Sequence, residues 1–288
     1  MALADLGEPT RLATAILDQF SDIPIPVPVD EIALALDITD IQPLETEGFE
    51  GGLIAPLDKS EGVILVNAKS APQRRRFTVG HELGHFVNPW HVPKDGQRFL
   101  CSAADMRRAT AGKGDRAMQM EVEANRFSAE LLLPRATFQR DLRRSAGAGL
   151  EHVLRLSVRY DMSKEATAIR YVDLHDEPQA VIFSQDGKVR YPYRNSGFPF
   201  VNIRKGDPLP TGCSSLSSTE PQDLLSDWAE VDAGVWLDSN CRHRIVFEQT
   251  LAQANGFRMT ILTIDEAGAE DADEELELEA SWTPHHRR

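Results

Sequence analysis

A chain of 288 residues is long enough to form one large domain or two modest ones. Three cysteines are too few, and odd in number, for a disulfide framework, and no apolar run is long enough to cross a bilayer. The formal net charge of −14 argues against a protein that coats duplex DNA. Because the N-terminal residues lack the features of a signal peptide, we expect a cytoplasmic protein with no membrane partner.

The first half of the chain is predicted to alternate between helices and a β-hairpin. Apolar spacing predicts one helix at each end of the segment from Glu8 to Leu36, with a proline-rich break between the two helices. The runs GLIAPL and GVILVN, separated by DKSEG, predict a hairpin. A helix is predicted from near Pro72 to just before Pro89, followed by a polar loop from Pro93 to Lys113.

A second long helix is predicted from about Asp115 to Leu133, and two or three more between Thr137 and His175, with Ser163 as an N-cap. After Pro178 the pattern changes to strands. AVIFSQDGKVRYPY predicts a hairpin with an Asp-Gly turn, and RIVFEQTL and FRMTILTID predict one further strand each. The acidic block from Asp265 to Ser281 is typical of a disordered tail.

The sequence TVGHELGHFV contains the zinc-peptidase pattern H-E-x-x-H. On a helix, His81 and His85 share one face, at a separation that suits a single tetrahedral Zn²⁺. Glu82 lies beside that position and is the candidate base for activating water, and later the candidate acid. The apolar residues around this motif favour a buried metal site over a surface helix.

Two candidates exist for the third metal ligand. His91 has the spacing of the longer zinc-protease motif, but Asn88 stands where that motif has glycine, and Pro89 favours extended geometry at Asn88. Glu121, on the later helix, is the second candidate, with Asn125 one turn on as a support for a ligand histidine. On that helix Glu123 is expected to be solvated, and Glu130 is a weaker alternative.

The chain resembles the ImmA/IrrE family of zinc metallopeptidases in two segments, GVILVNAKSAPQRRRFTVGHELGHFV and EVEANRFSAELLLP. The resemblance implies zinc ligands His81, His85 and Glu121, with Glu82 as the catalytic acid/base. It also implies that the strand Gly62–Asn67 pairs with an extended substrate. The implied fold class is α+β: residues 1–135 form a zincin-like peptidase domain, 136–177 a helix-turn-helix-like segment, 178–266 a GAF-like sensor domain, and 267–288 the acidic tail.

Family resemblance also implies a function. Members cut a helix-turn-helix repressor, which releases genes for stress, DNA-damage or defence responses, including those against phage and mobile elements. The alternative is a DNA-binding or signal-sensing regulator in which a zinc site is only structural. An intact Glu82 favours catalysis, because a structural site has no use for a water-activating carboxylate.

Two features suggest regulation. Cys101 lies between the second histidine and Glu121, and its thiolate is a candidate inhibitory zinc ligand. Basic residues cluster in the same half of the chain, and are candidates for binding single-stranded DNA as an activator, for binding an acidic face of the substrate, or for balancing nearby acids. A small molecule is the other candidate activator. These basic residues are Arg74, Arg75, Arg76, Arg107, Arg108, Lys113 and Arg116.

Overall fold

The fold is taken from a computed structural model, which describes residues 7–92, 98–101, 115–144, 149–217, 224–241 and 243–265. At 98, 100, 101, 216, 217 and 239 only the backbone is described. The chain divides into two compact units, Met1–Arg144 with Arg155–Thr167, and Ser145–Leu154 with Ala168–Arg288. The acidic tail lies outside the described residues. No helix within these ranges is long and apolar enough to traverse a bilayer.

Helices and a small sheet make up the N-terminal unit. Its elements are α1 Pro9–Leu17, α2 Val29–Ala35, β1 Ile38–Leu44, β2 Gly51–Ile54, β3 Gly62–Asn67, α3 Pro72–Val87, β4 Arg98–Cys101, α4 Arg116–Leu132 and α5 Arg135–Arg144. The predicted helices and the β2–β3 hairpin are confirmed. Proline sets two of the boundaries, because α3 starts at Pro72 and α4 stops just before Pro134.

The four-stranded sheet of this unit has the order β1-β3-β2-β4. β3 pairs in parallel with β1 and antiparallel with β2, so both of its edges are filled. The expectation that Gly62–Asn67 pairs with a substrate is therefore wrong. The outer strand next to β2 is β4, which lies within the region predicted to be a loop and pairs residue for residue with Gly51–Ile54.

Two glycines let α3 and α4 approach closely. A Cβ added at Gly84 would lie 2.9 Å from Cδ1 of Phe127 and 3.2 Å from its Cβ and Cγ. A Cβ at Gly80 would lie 2.6 Å from Oγ of Ser128, the hydroxyl that donates a hydrogen bond to the carbonyl of Phe77. Since any larger residue would push the helices apart, the glycines of TVGHELGH fix the spacing between α3 and α4.

The remaining helices are α6 Leu150–Tyr160 and α7 Lys164–Leu174. Ser163 caps α7 as predicted, accepting a hydrogen bond from the amide of Ala166 at 3.1 Å. Asp141 on α5 holds the end of α6, because its carboxylate accepts from Tyr160 Oη at 2.9 Å and Arg159 Nε at 2.7 Å. The helix-turn-helix interpretation of this segment and the domain boundaries stay predictions.

A five-stranded antiparallel sheet of order β6-β5-β9-β8-β7 forms the centre of the C-terminal unit. Its strands are β5 Gln179–Gln185, β6 Lys188–Arg194, β7 Ala229–Val231, β8 Ile245–Ala252 and β9 Phe257–Asp265, with a short helix α8 at Ser214–Ser217. The predicted Asp-Gly turn is confirmed, since Asp186 and Gly187 have φ of 49° and 74°. The core on this sheet includes the fully buried Trp236.

Candidate metal centre

Three side chains with metal-binding atoms converge between α3 and α4. His81 Nε2 lies 3.2 Å from His85 Nε2 and 3.3 Å from Glu121 Oε2, and His85 Nε2 lies 3.6 Å from Glu121 Oε1. Both histidines are fully buried. Among the described residues this is the single group of three or more histidine, cysteine and carboxylate side chains that could hold a metal ion.

These spacings fit a tetrahedral zinc site. Zinc bonds to nitrogen and oxygen of about 2.0–2.1 Å, spread at tetrahedral angles, place neighbouring ligand atoms about 3.3 Å apart. The two Nε2 atoms lie 3.2 Å apart, and they lie 3.3 Å from Oε2 of Glu121 for His81 and 3.6 Å from Oε1 for His85, so each separation is close to this value. The described residues thus offer three ligands, the number that a catalytic zinc site takes from its protein, whereas a structural site takes four.

The protonation states of the site also suit a metal. Burial lowers the pKa of His85 to about 4, so its imidazole is neutral near pH 7. Although burial raises the pKa of Glu121, the neighbouring imidazoles of His81 and His85 hold that pKa well below its ordinary value. Neutral imidazoles and an ionised carboxylate are the forms that bind a metal ion.

Glu82 and Asn125 occupy the positions beside these residues. Glu82, next to His81 on α3, is fully buried. Asn125, one turn after Glu121 on α4, places its Oδ1 2.9 Å from His81 Nδ1. An amide oxygen only accepts hydrogen bonds, so this contact assigns the hydrogen of His81 to Nδ1 and leaves Nε2 free to bind a metal.

His91 does not join the three-residue cluster. Its Nδ1 lies 2.9 Å from Nδ1 of His85, on the side of that ring opposite to Glu121. A turn follows α3, but it does not carry His91 back to the metal cluster. Asn88 is extended, as is favoured before proline, and its carbonyl accepts from the amide of His91 at 3.2 Å. Pro89 occupies the second position of this β-turn, where proline is favoured.

Two acids on α4 have partners outside the metal cluster. Glu123, expected to be solvated, instead accepts a hydrogen bond from His91 Nε2 at 2.9 Å. The sequence around Glu123 does not indicate this hydrogen bond, because the contact depends on the turn that carries His91. Glu130 accepts from the amide of Arg135 at 3.0 Å and so holds the start of α5.

Two further residues hold His85 and were not foreseen. The ring of Phe99, in β4, stacks on that of His85 with centroids 4.4 Å apart. Lys59 Nζ donates to the carbonyls of His85 and Asn88, each at 2.6 Å, at the end of α3, where carbonyl groups have no partner within the helix. Both contacts join distant parts of the chain, so no local pattern could have indicated them.

The two regulatory features differ in outcome: the role of Cys101 stays a prediction, and the described contacts do not support nucleic-acid binding by the basic residues. The backbone of Cys101 ends β4 opposite Gly51, in a strand and not in the predicted loop, and its side chain lies outside the described residues. Arg74 pairs with Glu50 at 3.4 Å and Arg76 with Asp161 at 3.4 Å, which favours charge balance over nucleic-acid binding. Arg107, Arg108 and Lys113 lie outside the described residues.

Comparisons with known proteins agree with this geometry. Residues 45–171 match the family model of the M78 peptidases, described as the IrrE N-terminal-like domain. None of the curated proteins matches the chain. A solved structure of a Mycobacterium tuberculosis transcriptional regulator shares the fold, with a TM-score of 0.58 and 13% identity over 93% of this chain and 77% of that chain. Residues 45–171 of this chain are thus an IrrE N-terminal-like domain of the M78 peptidase family.

Proposed function

We propose that this protein is a zinc-dependent endopeptidase holding one Zn²⁺ per chain. The observation that carries the proposal is the convergence of His81, His85 and Glu121 at tetrahedral spacing, with the fully buried Glu82 next to His81. A structural zinc site has four protein ligands, whereas three are gathered here among the described residues.

The residues divide the chemistry between them. Zinc held by the three ligands would lower the pKa of a water molecule to about 7 and polarise a peptide carbonyl. Glu82 would accept a proton from the attacking water and return it to the leaving amine. Asn125 keeps His81 in the tautomer with Nε2 free, through the 2.9 Å contact to Nδ1.

We propose that an extended substrate segment pairs with β4. This strand is at the outer edge of the sheet, and edge strands can add a peptide strand through backbone hydrogen bonds. Its second residue, Phe99, stacks on His85, so a peptide along β4 would pass close to the metal position. This role falls to β4 because β3 is enclosed by β1 and β2.

We propose a helix-turn-helix transcriptional repressor as the substrate, cut in response to stress, DNA damage or a mobile element. The IrrE N-terminal-like domain supports this choice of substrate, and the fold shared with a transcriptional regulator agrees with a role in gene control. We further propose that the C-terminal sheet, with its order β6-β5-β9-β8-β7, acts as a GAF-like receiver of the signal.

The decisive experiment compares wild-type protein with Glu82→Gln on a repressor encoded beside its gene. Glutamine keeps the size of the side chain but cannot take up a proton, so cleavage should fall by about 10²–10⁴-fold while zinc content stays at one ion per chain. Glu47→Gln, an exposed substitution in the same domain, serves as the control and should cleave normally.

The same experiment separates the alternative function. If the wild type regulates its target without cleaving the repressor, and Glu82→Gln regulates it equally well, the protein is a non-proteolytic regulator with a structural zinc site. Cleavage by Glu82→Gln at the wild-type rate would instead refute the role of Glu82 as the base.

A further inference from the structure

A line of hydrogen-bonding groups leads away from His85 on the side opposite to the metal cluster. His85 Nδ1 lies 2.9 Å from His91 Nδ1, and His91 Nε2 lies 2.9 Å from Glu123 Oε2. Both imidazoles are buried, at 0% exposed surface, while the side chain of Glu123 is 26% exposed. The line therefore runs from the buried ligand to a carboxylate at the surface.

The positions of the hydrogens along this line follow from its last member. A carboxylate only accepts hydrogen bonds, so His91 Nε2 carries a hydrogen. A neutral His91 then has a lone pair at Nδ1, and the 2.9 Å contact requires the hydrogen between the two rings to belong to His85 Nδ1. With its hydrogen at Nδ1, a neutral His85 has an unprotonated Nε2, which faces His81 and Glu121.

We propose that His91 and Glu123 are positioning residues that hold His85 in the tautomer and orientation needed to bind the metal. The carboxylate at the far end draws the hydrogens of both rings toward itself, which increases the electron density at His85 Nε2. Carboxylate–histidine–metal arrangements strengthen a ligand in this way, and here a second imidazole is inserted between the carboxylate and the ligand. Asn125 does the equivalent for His81 with a neutral amide.

The surrounding contacts keep this line in place. Asn88 Oδ1 accepts from the amide of Trp90 at 3.0 Å and its carbonyl accepts from the amide of His91, so the turn that carries His91 is hydrogen-bonded within itself. Arg116 donates from Nη2 to the carbonyl of Trp90 at 3.1 Å and from Nη1 to Glu123 Oε1 at 3.3 Å. One arginine thus joins the turn to the carboxylate that His91 requires.

The inference rests on the proposed metal site, so its test measures zinc binding and not peptidase activity. The zinc affinity of the folded protein is measured by competition with a chromophoric chelator, and the Co²⁺-substituted protein supplies an absorption spectrum of the ligand field. Three variants interrupt the line at different points. His91→Phe removes both links, His91→Asn keeps an oxygen near the position of Nδ1 but loses the link to Glu123, and Glu123→Gln keeps an acceptor but loses the charge.

We expect zinc affinity to fall by about 10–100-fold in His91→Phe, in the range seen when groups that support a ligand histidine are removed. His91→Asn should lie between this variant and the wild type, because its side-chain oxygen can still accept from His85. Glu123→Gln should weaken zinc binding by less than His91→Phe and shift the Co²⁺ spectrum. Ile16→Val, a buried change in α1, is the control for altered packing and should bind zinc as the wild type does.

Two results would overturn the inference while leaving the peptidase proposal standing. One is that the wild type, His91→Phe and His91→Asn all bind zinc with equal affinity. The other is that Ile16→Val weakens zinc binding as much as the His91 variants do, since the loss would then reflect packing in general. If the wild type itself takes up no zinc, the proposed function fails, and this inference fails with it.

Discussion

Replacing Gly84 by alanine tests whether the close contact between α3 and α4 builds the metal centre. The added methyl group would lie 2.9 Å from Cδ1 and 3.2 Å from Cβ and Cγ of Phe127. Carbon atoms in ordinary contact lie about 3.5–4.0 Å apart, so Phe127 or the whole of α4 must move by roughly 0.5–1 Å. Phe127 is 1% exposed and has little free space in which to turn.

Two opposing effects set the magnitude. Alanine is favoured over glycine within a helix by about 0.5–1 kcal/mol, whereas overpacking a core costs about 1–3 kcal/mol. We therefore expect the free energy of unfolding to fall, by up to roughly 2.5 kcal/mol. Because Glu121 lies on the helix that moves, zinc affinity should also fall, by about tenfold or more.

Urea unfolding of the metal-free protein measures the first effect, and competition with a chelator measures the second. A double-mutant cycle with Phe127→Ala supplies the control. Once the ring is gone, the alanine at position 84 should cost less than it does beside phenylalanine. A Gly84→Ala protein that is more stable than the wild type, and that binds zinc equally well, would refute the role assigned to this glycine.

Three further predictions concern other contacts. Asp141→Asn should lower the free energy of unfolding by about 1–3 kcal/mol in urea, because the charged acceptor of Tyr160 and Arg159 is lost; an unchanged midpoint would contradict this. Burial, and then Asp141, raise the pKa of Tyr160, so the stabilisation of the folded protein by protonated Tyr160 is complete below about pH 10 and declines as the pH rises further. Ultraviolet titration should show at least one tyrosine ionising late, and four ordinary tyrosines would exclude it. Trp236→Phe should lower the free energy of unfolding by about 1–3 kcal/mol, measured by thermal unfolding, because the fully buried Glu248 loses the indole donor at 2.7 Å. Trp228→Phe, at a side chain that is 36% exposed, is the control and should lower it by less.

Local signals in the sequence accounted for most of the helices and hairpins. The prolines at 72, 89 and 134 bound α3 and α4, and Asp-Gly turns the chain between β5 and β6. Features that depend on pairing between distant segments were either not predicted or predicted wrongly. The polar segment around β4 has no strand pattern of its own, and it becomes a strand because it pairs with Gly51–Ile54. For the same reason, the interior position of β3 could not be deduced from its own residues.

The candidate site shows the same division. The spacing of His81 and His85 on one helix was sufficient to place two imidazoles side by side, since the geometry of a single helix turn determines it. Whether Glu121 or His91 completes the site was decided by tertiary structure. Gly80 and Gly84 bring α4 close enough for Glu121 to reach both histidines, while the turn at Asn88 and Pro89 places His91 behind His85, against Glu123. The sequence alone determined the helical pair of histidines because that arrangement is local, and the packing of two helices and one turn decided the rest because those contacts join residues far apart in the chain.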